Sequence, residues 1–306
     1  MLPRGDDLST VLEVVVRSWT FNGQAMAYWL SGGCEAMRKT SSRPFYTLLV
    51  GLVVASLPAL GSAQSKVWIG KEKDYERFLT NAEIVSVEDV GSGVNKPKRI
   101  KLRQGARELE AMWKPIQRGP KEWAWESFEA EVAAYQLDRI LGLHMVPPTV
   151  VRSIHEQEGS LQLWVTGVKF FRDTSAEAPQ TPEWNQQLAS CRLFDNLIAN
   201  GARSSKDILV DEEWNLVLID HSQAFLRLHY LDDDDEKLPD TFDRQLAARL
   251  ENLDLEYMQF RFGRLLLDPQ IRAIIMRRNA LMRRIDKLVA EKGEDAVLFG
   301  VTSEHQ

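Results

Sequence analysis

The hydrophobic periodicity changes midway along the chain, and this change restricts the possible folds more than any other feature of the sequence. After residue 63, apolar residues first come in short runs bounded by glycine turns, as is typical of antiparallel strands. From Pro182 onwards they mostly recur with the spacing of a helix. A strand-rich part followed by a helical part predicts an α+β fold. The strand-like runs cover residues 84–87, 99–102, 109–113, 149–154 and 161–165.

One segment of the strand-rich part has the pattern of a helix. Residues 125–141 carry apolar side chains near the helical period and precede Gly142, a residue typical of helix C-termini. We therefore expect one amphipathic helix beside an antiparallel sheet, and two lobes, 66–165 and 166–300. In the second lobe, helices are predicted over 182–199, 239–251 and 269–290, with a hairpin-like strand pair at 208–210 and 216–219.

Residues 37–63 have the layout of a secretory signal peptide. Three basic residues precede sixteen mostly apolar residues, 45–60, and small residues stand just before Gln64. The apolar stretch is shorter than the roughly 20 residues of a membrane-spanning helix, so a single-span anchor or a buried helix is the lesser alternative. We expect translation to begin at Met37, residues 1–36 to be an upstream read-through, and the mature protein to be exported, either periplasmic or secreted.

Composition excludes several kinds of site. Lys and Arg number 38 against 44 Asp and Glu, a net charge of -6, which disfavours a nucleic-acid partner. The chain has two cysteines, Cys34 and Cys191, so a disulfide framework and a multi-cysteine zinc site are excluded. The five histidines show no HxxxH or HxH spacing. After signal cleavage no stable membrane span is expected.

Two segments together resemble a known group of enzymes. Residues 128–151, FEAEVAAYQLDRILGLHMVPPTVV, resemble the αC-helix region of atypical kinases: HipA-type kinases, phosphatidylinositol 3- and 4-kinases and the secreted four-jointed type. Residues 193–225, LFDNLIANGARSSKDILVDEEWNLVLIDHSQAF, resemble the FDxLIxNxDRxxxNxLxD pattern of those kinases and the metal-binding turn that follows it. The resemblance implies a two-lobed protein-kinase-like fold, with ATP and Mg²⁺ as cofactors.

The resemblance also implies roles for residues of the first lobe. Lys114, at the end of the third strand, is the candidate for contacting the α/β phosphates, and Glu131 is the helix glutamate that holds it. Glu129 lies about 200° further round the helix, so only one of the two glutamates can face Lys114. Gly91 and Gly93 stand where a glycine-rich loop would cover phosphates, although a plain hairpin turn fits them equally well. Val165 would belong to the adenine-binding hinge.

The second segment supplies the metal site and shows a departure from the pattern. Asp220 follows an apolar strand and takes the role of the metal aspartate, with Asp207 at the position of the metal-binding asparagine. Ala202 stands where the catalytic aspartate belongs, and alanine can neither accept a proton nor orient a hydroxyl. Asp195 is a weak substitute for that aspartate, because it lies in the predicted helix and a structural pairing with Arg203 fits it better.

These residues lead to three hypotheses for function. The first is an exported kinase-like protein that binds ATP and Mg²⁺ but is catalytically impaired, as in a pseudokinase. The second is an active phosphotransferase or nucleotidyltransferase acting on hydroxyls of proteins or small molecules, since positioning and electrostatics supply most of the catalysis in phosphoryl transfer. The third is a structural exported protein that uses the scaffold for protein contacts. A protein partner or substrate is possible under each of them.

Overall fold

The computed structural model describes residues 66–91, 96–121, 124–227 and 238–300. The signal peptide, the segment before it and Gly93 lie outside these ranges. The elements of the first lobe are α1 (Glu72–Asn81), β1 (Glu83–Asp89), β2 (Lys98–Gln104), β3 (Arg107–Lys114), β4 (Gly119–Lys121), β5 (Ala124–Glu126), α2 (Phe128–Leu141), β6 (Thr149–Ile154) and β7 (Gln157–Leu163).

The first lobe is built on one antiparallel sheet of five strands in the order β1-β2-β3-β7-β6. Alternate residues of the central strands are buried, because one face of the sheet packs against α1. On that face Ile100, Ala111, Trp113 and Leu161 join Phe78 in a hydrophobic cluster. The opposite face of β3 carries Lys114 and is the face on which the candidate site lies.

The second lobe is mainly helical. Its two small sheets are a three-stranded one, ordered β10-β9-β8, and a parallel pair of β11 with β12. A 3₁₀ turn spans Ser175–Glu177. The elements are β8 (Val168–Phe170), α3 (Phe171–Thr174), α4 (Pro182–Ile198), β9 (Ile208–Asp211), β10 (Leu216–Leu218), β11 (Phe242–Asp243), α5 (Arg244–Glu251), α6 (Leu255–Phe262), α7 (Asp268–Lys292), α8 (Glu294–Val297) and β12 (Leu298–Phe299).

The ends of α2 are fixed by local chemistry. The Ser127 hydroxyl accepts a hydrogen bond from the Ala130 backbone N–H at 3.1 Å and so caps the N-terminus. At the other end Gly142 adopts a left-handed conformation with φ of 64°. A Cβ atom there would lie 1.8 Å from a guanidinium nitrogen of Arg249, whose side chain donates to the Leu141 carbonyl. Specific contacts therefore define both ends of helix α2.

The structure confirms the α+β, two-lobed prediction and corrects several elements. The predicted strands, the strand pair at 208–210 and 216–219 and the helix over 182–199 are present, with small shifts at their ends. The helix predicted over 125–141 begins at Phe128, since 124–126 form β5. Only the second half of 239–251 is helical. Helices α1 and α6 and the β4–β5 hairpin were not predicted from the sequence.

Candidate functional site

Three charged residues that are far apart in the sequence meet at one point. The Lys114 ammonium donates to Glu131 Oε1 at 2.6 Å and to Asp220 Oδ1 at 2.9 Å. Lys114 is the last residue of β3, Glu131 lies in the first turn of α2, and Asp220 follows β10 in the second lobe. The side chain of Lys114 is 15% exposed and that of Glu131 is 2% exposed. The strand, the helix and the second lobe thus converge on one largely buried ammonium group, and Asp220, whose side chain is 49% exposed, is its partner on the side open to solvent.

The protonation of this cluster follows from its charges. Burial by itself lowers the pKa of Lys114, but the carboxylates of Glu131 and Asp220 outweigh burial and raise the pKa above its ordinary value. Burial by itself raises the pKa of Glu131, but the ammonium of Lys114 and the interaction with His221 together outweigh burial, so the pKa lies well below its usual range. At neutral pH the lysine is therefore a cation and the glutamate is an anion.

The two glutamates at the start of α2 face different partners. Glu129 lies near Arg118, with 3.2 Å between a guanidinium nitrogen and Glu129 Oε1. Glu131 instead points to Lys114 and also accepts a hydrogen bond from the His221 backbone N–H at 3.0 Å on its second oxygen. The separation of the two side chains round the helix, expected from the sequence, is what the structure shows.

Asp195 is bound in a structural ion pair. Arg203 donates to both of its carboxylate oxygens, at 2.9 and 3.0 Å, and the Asn200 side-chain amide donates to it at 3.1 Å. The Cys191 thiol lies 3.7 Å from its Oδ2. Because these groups already occupy both oxygens, Asp195 is poorly placed to accept a proton from a substrate hydroxyl. The geometry agrees with a structural pairing of Asp195 with Arg203 and not with a role for Asp195 as a substitute catalytic base.

Arg203 links that ion pair to the cluster around Lys114. Its guanidinium donates to the backbone carbonyls of Asp207 and Ile219, at 3.1 and 2.6 Å, and so holds together the two segments that carry Asp207 and Asp220. It also donates to His221 Nε2 at 2.8 Å. Since a guanidinium has no acceptor, this His nitrogen must be the acceptor of the bond.

His221 is fully buried and touches both charged pairs, a role that sequence reasoning missed. Its Nε2 meets Arg203, and its Nδ1 lies 3.8 Å from Glu131 Oε2. Burial, followed by the charge of Arg203, lowers the pKa of His221, so the ring is neutral at physiological pH. A polar ring next to a strand-end aspartate was the available signal, but nothing in the sequence indicated that it reaches Glu131.

Asp207 lies beside Asp220 at the mouth of the cluster. Its Oδ2 accepts hydrogen bonds from the Ser204 backbone N–H at 2.9 Å and the Ser204 hydroxyl at 2.6 Å. Burial raises the pKa of Asp207, and the nearby charge of Asp220 raises it further, against the effect of these hydrogen bonds. The two carboxylates are thus close enough to repel each other.

Asp220 has an unusual backbone conformation. Its φ is 60°, in the left-handed region that residues other than glycine rarely occupy and that Asp and Asn tolerate best. This conformation follows the end of β10 and turns the chain so that the Asp220 carboxylate reaches Lys114 while the next residue, His221, points into the interior. Because backbone strain of this kind clusters at functional sites, the conformation marks Asp220 as a candidate site residue.

The remaining sequence-predicted residues are placed as follows. Ala202 is half-buried in the turn before Arg203 and offers no side-chain acceptor. Gly91 is exposed, with φ of 71°, at the end of the described part of the β1–β2 connection. Val165 lies in the connection between β7 and β8, half-buried against the core of the first lobe. The structure does not bring Gly91 or Val165 into contact with the Lys114 cluster.

A wide groove runs along another face of α2. It has a volume of about 870 Å³ and is lined in part by Glu76, Phe128, Val132, Arg139 and Arg261. None of the residues around Lys114 lines it, and its charged residues include the Arg139–Glu76 ion pair. Geometry and charge therefore place the candidate site at the Lys114 cluster and not in this groove.

Two further observations concern the part of the chain that the structure describes. The His, Cys, Asp and Glu side chains of that part form no group of three or more suited to holding a metal ion, so a cation would depend on two carboxylates and on its ligand. None of its helices combines the length and apolar composition of a membrane-spanning segment.

Comparison with known proteins identifies the fold. No protein family profile matches the sequence, and no curated protein is significantly similar to it. Among solved structures, hydra Fam20 with sugar matches with a TM-score of 0.56 and 16% identity, over 73% of this chain and 90% of that one. A Golgi casein kinase matches with 0.54 and 14%, over 74% and 79%. Its structure with Mn and ADP bound matches with 0.53 and 16%, over 74% and 78%. The chain therefore has a kinase-like two-lobed fold.

Proposed function

We propose that this protein binds ATP together with a divalent cation, Mg²⁺ in the first instance, in the cleft where Lys114 meets Asp220. The observation that carries the proposal is the pair of bonds from one buried ammonium to Glu131 and Asp220. A largely buried ion pair such as Lys114–Glu131 contributes little to stability because of its desolvation cost, so it is better explained by function. The kinase-like fold, and a neighbour solved with Mn and ADP, support this choice.

The residues at the site fit a divalent cation. Asp207 and Asp220 present two carboxylates that repel each other. Burial raises the pKa of Asp207, and the charge of Asp220 raises it further. Mg²⁺ in nucleotide sites is commonly held by one or two carboxylates plus phosphate oxygens, which matches this donor set. When bound, the cation would neutralise charge on the phosphates. Asp220 would hold it while Lys114, still paired with Glu131, contacts a phosphate.

We propose further that phosphoryl transfer to a hydroxyl is impaired. Ala202 offers no proton acceptor at the position where the resemblance expects an aspartate, and Asp195 is held by Arg203. General-base assistance of this kind contributes roughly 10²- to 10⁴-fold to a rate. Nucleotide binding does not require a general base. The residues that would bind the nucleotide are therefore all present, while the general base for phosphoryl transfer is missing.

We also propose that the protein is exported, on the basis of residues 37–63. Their basic start, apolar centre and small residues before Gln64 are typical of a signal peptide. N-terminal sequencing of the secreted or periplasmic fraction should find Gln64 or a neighbour. A soluble product that retains Met1 inside the cell would contradict export.

The binding proposal is tested by titrating ATP into the protein with and without Mg²⁺, by calorimetry and by thermal shift. We expect binding that requires the cation and that falls at least tenfold in Lys114→Ala and in Asp220→Asn, since one loses the phosphate contact and the other a metal ligand. Asn tolerates the left-handed backbone at position 220, so this variant separates charge from conformation. The control Lys101→Ala removes an ammonium of the same sheet that pairs with Glu108 instead.

The impairment is tested in the same samples with labelled ATP. The wild type is expected to transfer no more than traces of label, and Ala202→Asp to gain autophosphorylation. Efficient transfer by the wild type, abolished in Asp220→Asn, would overturn the impairment and establish an active transferase. The absence of any nucleotide effect on a folded wild type would overturn the binding proposal and favour a structural protein.

A further inference from the structure

The face of the sheet that carries Lys114 is organised in rungs, each made of residues opposite one another on neighbouring strands. Lys114 pairs with Ser160 on β7. Two residues earlier on β3, Met112 lies between Arg99 on β2 and Gln162 on β7. Residues two apart on a strand lie about 7 Å from each other and point to the same face. A ligand whose phosphates meet Lys114 therefore reaches the Arg99–Met112 rung with its other end.

Arg99 is held over an aromatic ring at this rung. Its guanidinium carbon lies 4.5 Å from the centroid of the Trp164 ring, and it forms an ion pair with Glu110, the next residue on the same face of β3. The Trp164 backbone N–H donates to the Glu110 carbonyl at 2.9 Å, which fixes the first residue after β7 against β3. Arg99, Glu110 and Trp164 thus form one fixed group where the two lobes are joined.

The guanidinium has capacity left for a ligand. The side chain of Arg99 is 41% exposed. Trp164 covers one face of the planar guanidinium. Since a guanidinium can stack on both of its faces, the other face is available to a second planar group.

We propose that Arg99 is a specificity-determining residue of the cleft, where its guanidinium, fixed by Trp164 and Glu110, forms the surface on which the aromatic ring of the nucleotide stacks. This inference rests on the proposed nucleotide binding and adds the group that distinguishes a nucleotide from a bare polyphosphate. It assigns Trp164 to ligand recognition through Arg99. By contrast, Trp68 and Trp113 are buried core residues.

The proposal depends on the planarity of Arg99 as well as its charge. Lysine carries the same charge on a compact ammonium that cannot stack as a plane. Arg99→Lys should therefore behave like Arg99→Ala toward a ligand with a ring. Neither change should affect a ligand without one, because the phosphates are held one rung away at Lys114.

The test measures binding of two probes, ATP and inorganic tripolyphosphate, to the full protein in the presence of Mg²⁺. In Arg99→Ala and Arg99→Lys we expect ATP to bind roughly tenfold more weakly, the size of a desolvated cation–π contact, and tripolyphosphate to bind as in the wild type. Lys101→Ala is the matched control, since Lys101 lies on the same face of β2 and is similarly exposed. It should bind both probes normally.

The outcomes distinguish failure of the stacking role of Arg99 from failure of nucleotide binding itself. Unchanged or tighter ATP binding in Arg99→Ala would overturn the stacking role, and tighter binding would show that Arg99 obstructs the site. Full ATP affinity in Arg99→Lys would show that charge alone matters and would also overturn it. If neither probe binds the wild type, the nucleotide site itself is refuted. Far-UV circular dichroism of each variant, expected to match the wild type, establishes that the comparison is between folded proteins.

Discussion

At the scale of single residues, the site is a continuous series of polar contacts that is buried at Arg203, His221 and Glu131 and reaches solvent at Asp220. It runs from Asp195 through Arg203 and His221 to Glu131, and from there to Lys114 and Asp220. Each member is placed by its neighbours, so removing one leaves a buried charge or dipole without a partner. Such a loss typically costs several kcal/mol when the group left behind is charged. The series therefore fixes the geometry of the cleft more strongly than any single pair would.

Most members of this series could be predicted from the sequence, but His221, which joins its two charged pairs, could not. Lys114, Glu131, Asp207 and Asp220 stand at the ends of a strand or in the first turn of a helix, where spacing and the kinase resemblance both apply. His221 contributes through a ring nitrogen and a backbone N–H whose partners come from other parts of the chain. Contacts of that kind depend on tertiary packing, which local patterns do not report.

Asp138 gives the protein a measurable dependence on pH. It lies on α2, is 1% exposed, and accepts a hydrogen bond from the Met145 backbone N–H at 3.0 Å. Burial raises its pKa to about 7. Between its ordinary pKa near 4 and about 7, the folded protein holds a proton that the unfolded chain has lost. The free energy of unfolding therefore falls as the pH rises through this window.

Asp138→Asn should remove this contribution while keeping an oxygen for the Met145 N–H. From pH 5 to pH 8 we expect the free energy of unfolding of the wild type to fall relative to that of the variant, by up to about 3 kcal/mol. Urea unfolding at both pH values measures the change. Asp286→Asn, on an exposed face of α7, is the control and should run parallel to the wild type. Parallel curves for Asp138→Asn would show that Asp138 ionises normally.

At the scale of elements, the predictable ones have strong periodicity or clear ends. Helix α4 begins with Thr181, which caps the Trp184 N–H at 3.3 Å, followed by Pro182 in the first turn. Helix α1 lacks a clear beginning, and the apolar residues on its one hydrophobic face are few. Its first residue follows Lys71, which makes no side-chain cap, and its buried face consists of three residues, Tyr75, Phe78 and Leu79. With so few apolar positions among charged ones, α1 forms because it covers the sheet, which only the tertiary structure shows.

The pairing of β3 with β7 leaves no space for a side chain at Gly159. A Cβ atom there would lie 2.6 Å from the Trp113 indole nitrogen and 2.7 Å from the Lys114 carbonyl oxygen. Gly159→Ala should therefore destabilise the protein by about 1–3 kcal/mol, as overpacking does, and weaken ATP binding by moving Lys114. Gly201→Ala is the matched control, since a Cβ atom at that position meets nothing within 4 Å. If the two variants unfold at the same denaturant concentration, this account of the β3–β7 contact is wrong.

At the scale of the whole molecule, the two lobes share a core. Helix α2 belongs to the first lobe by sequence, but its buried residues Val132, Leu137 and Leu141 join the same hydrophobic cluster as Phe194 and Leu250 of the second lobe. In the other direction, Val217 of β10 packs into the core of the first lobe. Neither lobe has a complete core of its own.

Because of this sharing, we expect the described part of the protein to unfold in one cooperative transition. In calorimetry the van't Hoff and calorimetric enthalpies of that transition should agree. ATP with Mg²⁺ should move the whole transition to higher temperature without splitting it, since ligand bound only by the folded state stabilises every part coupled to it. Two resolved transitions, with only one of them shifted by the nucleotide, would mean that the lobes fold independently.

Cys191 offers a way to observe that coupling directly. It is the single cysteine of the described ranges, it is buried in α4, and burial, followed by the negative charge of Asp195, raises the pKa of its thiol. A protonated, covered thiol reacts slowly with alkylating reagents. Modification at this position therefore requires that α4 separate from its neighbours. The rate of labelling at Cys191 thus measures how often the protein opens beside the Asp195–Arg203 pair.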